Sequence, residues 1–344
     1  MNALLLTAPS QLELTEFETP TAQADEVLIR VRACGICGSD IHGWDGSSGR
    51  RQTPLIMGHE AAGEISAVGA NVTDLTIGER VTFDSTIYCG KCPPCQRGDV
   101  NLCDDRRVLG VSPDTYKQHG AFAEYVVVPA RIVHRLPATL TYEQAAFAEP
   151  VSIALHAVSR GHVTVTDTAV VIGSGMIGLL VIQALRAAGL ERVIAVDREP
   201  TRLEMAAQLG ATSTVNATSV DTAAQIRALT GGRGADVLFE VVGIEPTVNL
   251  AIEVARDGAR LVLVGNLAAQ INFPLQQIVT REISVLGSCA CAGEYPQSLK
   301  LIASGQIKVD PLIAATAPLA DGADWFAKLS APDGAKYLKV ILNP

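Results

Sequence analysis

The sequence predicts a two-domain α/β protein, one domain built of short β-strands and the other a parallel sheet wound between helices. Its 344 residues are about twice the ~150 of an average domain. Glycine-punctuated β-segments fill residues 1 to about 150, and after them strand and helix patterns alternate. With 48% hydrophobic and 18% charged residues, the chain can fill two cores, which excludes a largely disordered protein.

Lys plus Arg number 27 against 36 Asp plus Glu, a formal charge of −9 without any long basic run. That balance disfavours nucleic acid and anionic membrane surfaces as partners, though not a basic pocket for a small anion. The opening MNALLLTAPSQLELTEF has no basic start, and its apolar patch stops after Leu6, too short for a signal peptide. The most apolar stretch, Ala169 to Leu185, is interrupted by Gly173, Gly175 and Gly178. It reads as a buried strand and helix, not a membrane span. A soluble, cytoplasmic protein is expected.

In the first domain the segments 26–33, 63–70, 79–83 and 124–129 read as strands. Within the first, Val27, Ile29 and Val31 share one face, and Leu28, Arg30 and Arg32 the other. This is the alternation of a half-buried strand. TYEQAAFAEPVSIALHAVSR then reads as two helical pieces broken at Pro150. Strands AVVIG, RVIAVD, ADVLFEVVG and ARLVLVG alternate with helices of ten residues or so, the signature of βαβ units. Gly189, Gly210 and Gly258 are placed near helix ends, and Pro200 and Pro246 near helix starts. YPQSLKLIASG reads as a further helix and YLKVILNP as a strand free to return to the first domain.

Gly173-Ser-Gly175-Met176-Ile177-Gly178 follows the apolar Val170-Val171-Ile172 and opens a helical pattern. The first glycine permits the tight turn, the second lets a pyrophosphate approach, and the third allows close helix–strand packing. Asp197 closes the next strand, nineteen residues past Gly178, where a carboxylate accepts from an adenosine ribose. This is the Rossmann fingerprint, and Asp197 favours NAD over NADP. Arg198 and Arg202 weaken that preference. Val242, Val264 and Gly265, after the next two strand patterns, are expected as further cofactor contacts.

Four of the eight cysteines, Cys89, Cys92, Cys95 and Cys103, fall within fifteen residues among Gly90, Pro93, Pro94 and Gly98. Four converging thiolates suit a closed, structural zinc site. The final gap and the following Asp104 depart from the bacterial iron–sulfur pattern. A second mixed set, Cys37, His59, Glu60 and Glu149, suits zinc with one open position, although spacing alone does not bring these groups together. Cys34 with Cys37 could instead be a redox pair, but no thioredoxin-like pattern surrounds them.

Gly58-His59-Glu60-x2-Gly63-x5-Gly69-x2-Val72, the cysteine lobe and the glycine motif follow one another along the chain. In that order they resemble a zinc-dependent medium-chain dehydrogenase of the branch containing polyol, butanediol and threonine dehydrogenases. The resemblance covers essentially the whole chain. It implies a GroES-like catalytic domain from residues 1–150 and 288–344, a Rossmann domain at 151–287, and an active site in the cleft between them. It implies two zinc ions per subunit, NAD, a small-molecule alcohol substrate, and a homodimer or homotetramer. Cys37 and His59 match catalytic zinc ligands, and Glu149 stands where the polyol branch has glutamate. Glu60 is a ligand in some members and an exchangeable neighbour in others. Ser39 and His42 match the proton-relay positions, and Cys34 reads as core.

The implied reaction is hydride transfer from a secondary alcohol to the nicotinamide, the hydroxyl proton leaving through Ser39 towards His42. Sorbitol dehydrogenases carry an arginine and an aromatic residue where this chain has Ser288-Cys289-Ala290-Cys291, and a tyrosine where it has Gly43. Sorbitol itself is therefore in doubt, and threonine, butanediol or a sugar-alcohol phosphate stand as alternatives, with an NAD-binding sensor as the non-enzyme reading. Arg50-Arg51 could meet an anionic substrate, but an exposed polar loop is the expectation.

Overall fold

The computed structural model describes residues 1–218 and 221–344. They form two compact units: Met1–Glu149 with Tyr295–Ser304 and Val309–Pro344, and Pro150–Glu294 with Gly305–Lys308. Residues 288–294, which the sequence groups with the first domain, pack in the second. Ser288 N–H donates to Leu263 O at 2.9 Å, and Glu294 takes hydrogen bonds from the His156 ring (2.8 Å) and Ala292 N–H (2.5 Å).

The main sheet of the first unit runs Val133–Arg135, Arg80–Phe83, Glu60–Val68, Glu26–Gly35, Lys339–Asn343, Ile313–Pro318, with Tyr125–Pro129 also paired to Glu26–Gly35. In Glu26–Gly35, Val27, Ile29 and Val31 are buried while Arg30 is exposed. The alternation follows from a sheet with one face on the core. The last strand does return here, antiparallel to Glu26–Gly35 through Leu342↔Cys34 and parallel to Ile313–Pro318. Phe83, Phe122 and Phe326 anchor the core, the last two edge to face at 5.8 Å.

The second unit holds six parallel strands in the spatial order Ser213–Asn216, Arg192–Asp197, Thr168–Ile172, Ala235–Glu240, Ala255–Leu263, Ser284–Gly287. Counted along the chain this is 3-2-1-4-5-6, the doubly wound order. Two sequence expectations shift. The helical break falls at Phe147, between Tyr142–Ala146 and Ala148–Arg160, leaving Pro150 in a first turn where its missing N–H costs nothing. Gly258 is no helix end: Glu245–Val254 stops earlier, and Gly258 lies inside the strand Ala255–Leu263 at φ +69°.

Candidate metal and dinucleotide sites

Cys37 caps the helix Gly38–Trp44 just after the strand Glu26–Gly35, and His59 precedes the strand Glu60–Val68. The register Gly35↔Glu60 sets these chain segments side by side. The ligand atoms of Cys37, His59 and Glu60 consequently lie within 4.8 Å of one another. Gly35 leaves the space that the Glu60 carboxylate fills, since a Cβ there would meet Oε2 at 2.5 Å.

Asp40, fully buried on the same helix, contacts two members of this group. Its Oδ2 accepts from Cys37 N–H at 3.1 Å, and its Oδ1 lies 3.3 Å from His59 Nδ1. Nδ1 thereby faces the carboxylate at ion-pair distance, without a formed hydrogen bond, which leaves Nε2 as the nitrogen for a metal. Burial alone would lower the His59 pKa, yet Asp40 holds it well above the usual histidine value. Burial likewise opposes ionisation of Asp40, and His59 and Arg51 outweigh it, so its carboxyl stays below the usual range.

Glu60 is not free. The buried Lys339 Nζ donates to its Oε2 at 2.5 Å and to Ile36 O at 3.1 Å. Glu149 stands outside the three-residue group, buried, accepting from Ser85 Oγ at 3.1 Å. Burial and the nearby Glu60 push its carboxyl to about 7 despite opposing His59 and Lys339. Tyr295 OH accepts from Ser85 N–H at 3.2 Å and stacks on His134, fixing the segment that carries Ser85. Ser39 and His42 lie on the helix that Cys37 caps, both exposed, with His42 Nδ1 3.4 Å from Ser47 Oγ.

Cys89, Cys92, Cys95 and Cys103 form the second ligand group. Amide N–H groups already point at the sulfurs: Lys91 and Cys92 to Cys89 Sγ at 3.5 and 3.3 Å, Cys89 to Cys103 Sγ at 3.2 Å. These donors lower the Cys89 thiol to about 6, while burial and Cys92 raise Cys95 to about 12. Four crowded sulfurs favour one anion and oppose the next, a conflict that a divalent cation removes. The donor sets of both groups fit zinc. Cys34 is buried in the core beside Gly58, its thiol raised well above the usual value by burial and by Asp40 and Glu60, which makes it inert.

In the second unit Gly175 caps the helix Met176–Ala187, which begins with Met176 and Ile177. A Cβ on Gly178 would collide with Gly173 O, whereas one on Gly175 would meet nothing within 4 Å. The protein itself therefore requires the third glycine, and the open space over Gly175 fits an approaching pyrophosphate. Asp197 closes this turn from the neighbouring strand. Its Oδ2 accepts from Ser174 N–H at 2.7 Å, and its Oδ1 from Arg198 and Glu199 N–H at 2.7 and 2.9 Å. Arg202 reaches Asp197 at 3.8 Å, and Arg198 is exposed. Val242, Val264 and Gly265 gather round Glu240. Val242 N–H donates to its carboxylate at 2.9 Å, and the other two N–H groups to its carbonyl at 2.9 and 3.0 Å.

Sequence reasoning missed Asp40, Ser85, Tyr295 and Lys339. Only Lys339, a lone cation in an apolar strand, left a signal in the sequence. The exposed-loop expectation for Arg50-Arg51 is corrected at Arg51. Its backbone bridges to Ser112, and its side chain is 5% exposed and turned towards Asp40 at 3.8 Å.

Comparison with known proteins accords with this geometry. Residues 23–138 match the alcohol dehydrogenase GroES-like domain and residues 177–304 the zinc-binding dehydrogenase model. A sorbitol dehydrogenase of Bacillus subtilis is 36% identical over 91% of this chain and 89% of its own length. D-xylulose reductase A of Aspergillus oryzae is also 36% identical, over 92% of this chain and 89% of its own length. A putative zinc-binding dehydrogenase from Sinorhizobium meliloti, solved bound to NADP, superposes with a TM-score of 0.92 at 33% identity, covering 100% of this chain and 99% of that one.

A GroES-like domain with a thiolate–imidazole–carboxylate metal group, joined to a dinucleotide-binding Rossmann sheet, defines a metal-dependent dehydrogenase. The chain belongs to the zinc-dependent medium-chain dehydrogenases, in their polyol branch.

Proposed function

We propose that this enzyme oxidises a secondary alcohol of a small polyol to the ketone with NAD, and runs the reverse reduction with the same groups. The convergence of Cys37, His59 and Glu60 within 4.8 Å carries this reading. When bound, zinc supplies Lewis-acid polarisation of the alcohol oxygen and NAD accepts the hydride. Cys37 and His59 Nε2 hold the metal, completed by one carboxylate of Glu60 and Glu149. Lys339 keeps Glu60 occupied, which supports Glu149 as the exchanging partner. Ser39 takes the alcohol proton, and His42, open to water, discharges it. Asp197 reads the adenosine ribose and repels a 2′-phosphate. Arg202 is already engaged with Asp197, which supports NAD over NADP.

The names of the relatives support a polyol. The absent arginine and aromatic residue near Ser288 and the bare Gly43 favour one other than sorbitol. The exposed Val285 in the edge strand Ser284–Gly287, with Leu275 and Val279 exposed on the preceding helix, supports pairing with a second copy. No disulfide joins the eight cysteines, which fits the reducing cytoplasm; among the described residues no helix is long and apolar enough to cross a membrane.

The test is NAD reduction by the zinc-loaded enzyme across polyols, diols, sugar-alcohol phosphates and threonine, with Cys37→Ser as the control. The serine variant should keep the cysteine-lobe zinc and lose about a thousandfold or more in turnover, the several kcal/mol a Lewis acid supplies. Full activity in that variant would defeat the site assignment.

A further inference from the structure

Arg51 is a buried cation with no part in the chemistry above. Its backbone is pinned: the bridge to Ser112 is flanked by Ser112 N–H donating to Arg50 O at 3.0 Å and Gln52 N–H to Ser112 O at 2.9 Å. From there the side chain lies across Gly43, where a Cβ would collide with Arg51 Cγ at 2.5 Å and approach Nε at 3.1 Å. The bare position in the helix Gly38–Trp44 is thus filled by an arginine stem from another segment. Arg51 Nη2 ends 3.8 Å from Asp40 Oδ1, the atom that faces His59 Nδ1. Nη1 donates to Arg50 O at 3.5 Å, and Nε is buried without a hydrogen-bond partner.

We infer that Arg51 is a positioning residue for the catalytic metal, acting through Asp40, and does not read substrate. Asp40 is fully buried and touches both metal-facing residues, the backbone of Cys37 and the ring of His59. A lone buried carboxylate is unfavourable. A guanidinium beside the oxygen that faces His59 holds the carboxylate in place before metal arrives, and so keeps His59 turned with Nε2 outward. Outer partners of this kind set metal affinity. The guanidinium's charge is directed at Asp40, which leaves only the exposed Arg50 of that pair for an anionic substrate.

The inference rests on the proposed catalytic site, and zinc retention tests it with the cysteine lobe as internal reference. The wild-type enzyme should hold two zinc ions per chain. In a chelator titration, Arg51→Met should lose the weaker-held one at least about tenfold more readily, with the lobe zinc unchanged. Arg51→Lys, which keeps a cation, should recover most of that loss and remains informative even if the methionine variant does not fold. In an Asp40→Asn background the Arg51→Met change should add nothing.

Unchanged zinc retention in Arg51→Met, or a lysine variant as depleted as the methionine one, would overturn the inference. So would a raised KM for a phosphorylated polyol alone, with both zinc ions kept, since Arg51 would then read substrate. A wild-type enzyme with only the lobe zinc would defeat the site reading itself.

Discussion

Gly175 and Gly178 occupy the same motif for opposite reasons. Open space surrounds Gly175, while Gly178 lies against the Gly173 carbonyl. Gly175→Ala should therefore fold with a stability loss of about 1 kcal/mol or less, the usual cost at a helix cap, yet bind NAD more weakly. Gly178→Ala should destabilise the second domain outright, because the collision is with backbone. Thermal melts with and without NAD, beside NAD titrations, check both. Equal loss of stability in the two variants would mean that the open space over Gly175 is not the reason for its glycine.

One carboxylate ties three neighbouring strands of the parallel sheet at their starts. Asp236, in Ala235–Glu240, accepts from Thr168 N–H at 2.8 Å and from Arg256 Nε at 2.5 Å. Those residues begin the strands Thr168–Ile172 and Ala255–Leu263. Burial would raise the Asp236 pKa, but the amide and the arginine more than offset it and lower it below the ordinary value of 3.8. Its contribution is present above that ordinary value and is lost as pH falls through the depressed one. Asp236→Asn should cost about 1.5–3 kcal/mol near neutrality, and its denaturation curve should converge on the wild-type curve as pH drops below 4. A gap that persists in acid would refute the charge argument.

The strands themselves were legible, because alternation in 26–33 and apolar runs after 165 report which faces are buried. The cysteine lobe and the glycine turn were legible because each places its groups within one short segment. The proposed catalytic set was suggested chiefly by resemblance: Cys37 and His59 meet through strand register, which no local spacing encodes. Lys339 and Tyr295 reach the site region from some 280 and 210 positions away from Glu60 and Ser85. Arg51 was misjudged because a loop sequence does not reveal a bare glycine waiting beneath it.

The proposed pairing between copies through the strand Ser284–Gly287 predicts that Val285→Lys, a charge on an exposed edge, shifts the enzyme to a smaller species in light scattering while NAD binding in the isolated copy survives. An unchanged mass would place the contact elsewhere. The interleaving of the chain carries a different consequence, for synthesis. The second domain is nearly continuous, so most of it can fold as it leaves the ribosome. The first domain cannot, because Lys339–Asn343 inserts between Glu26–Gly35 and Ile313–Pro318 and carries the ammonium that neutralises Glu60. Until that strand emerges, the group of Cys37, His59 and Glu60 lacks the counter-ion that Lys339 supplies. The proposed catalytic zinc should therefore be loaded only once that strand has emerged, whereas the cysteine lobe, confined to one short stretch, can take its ion earlier in synthesis.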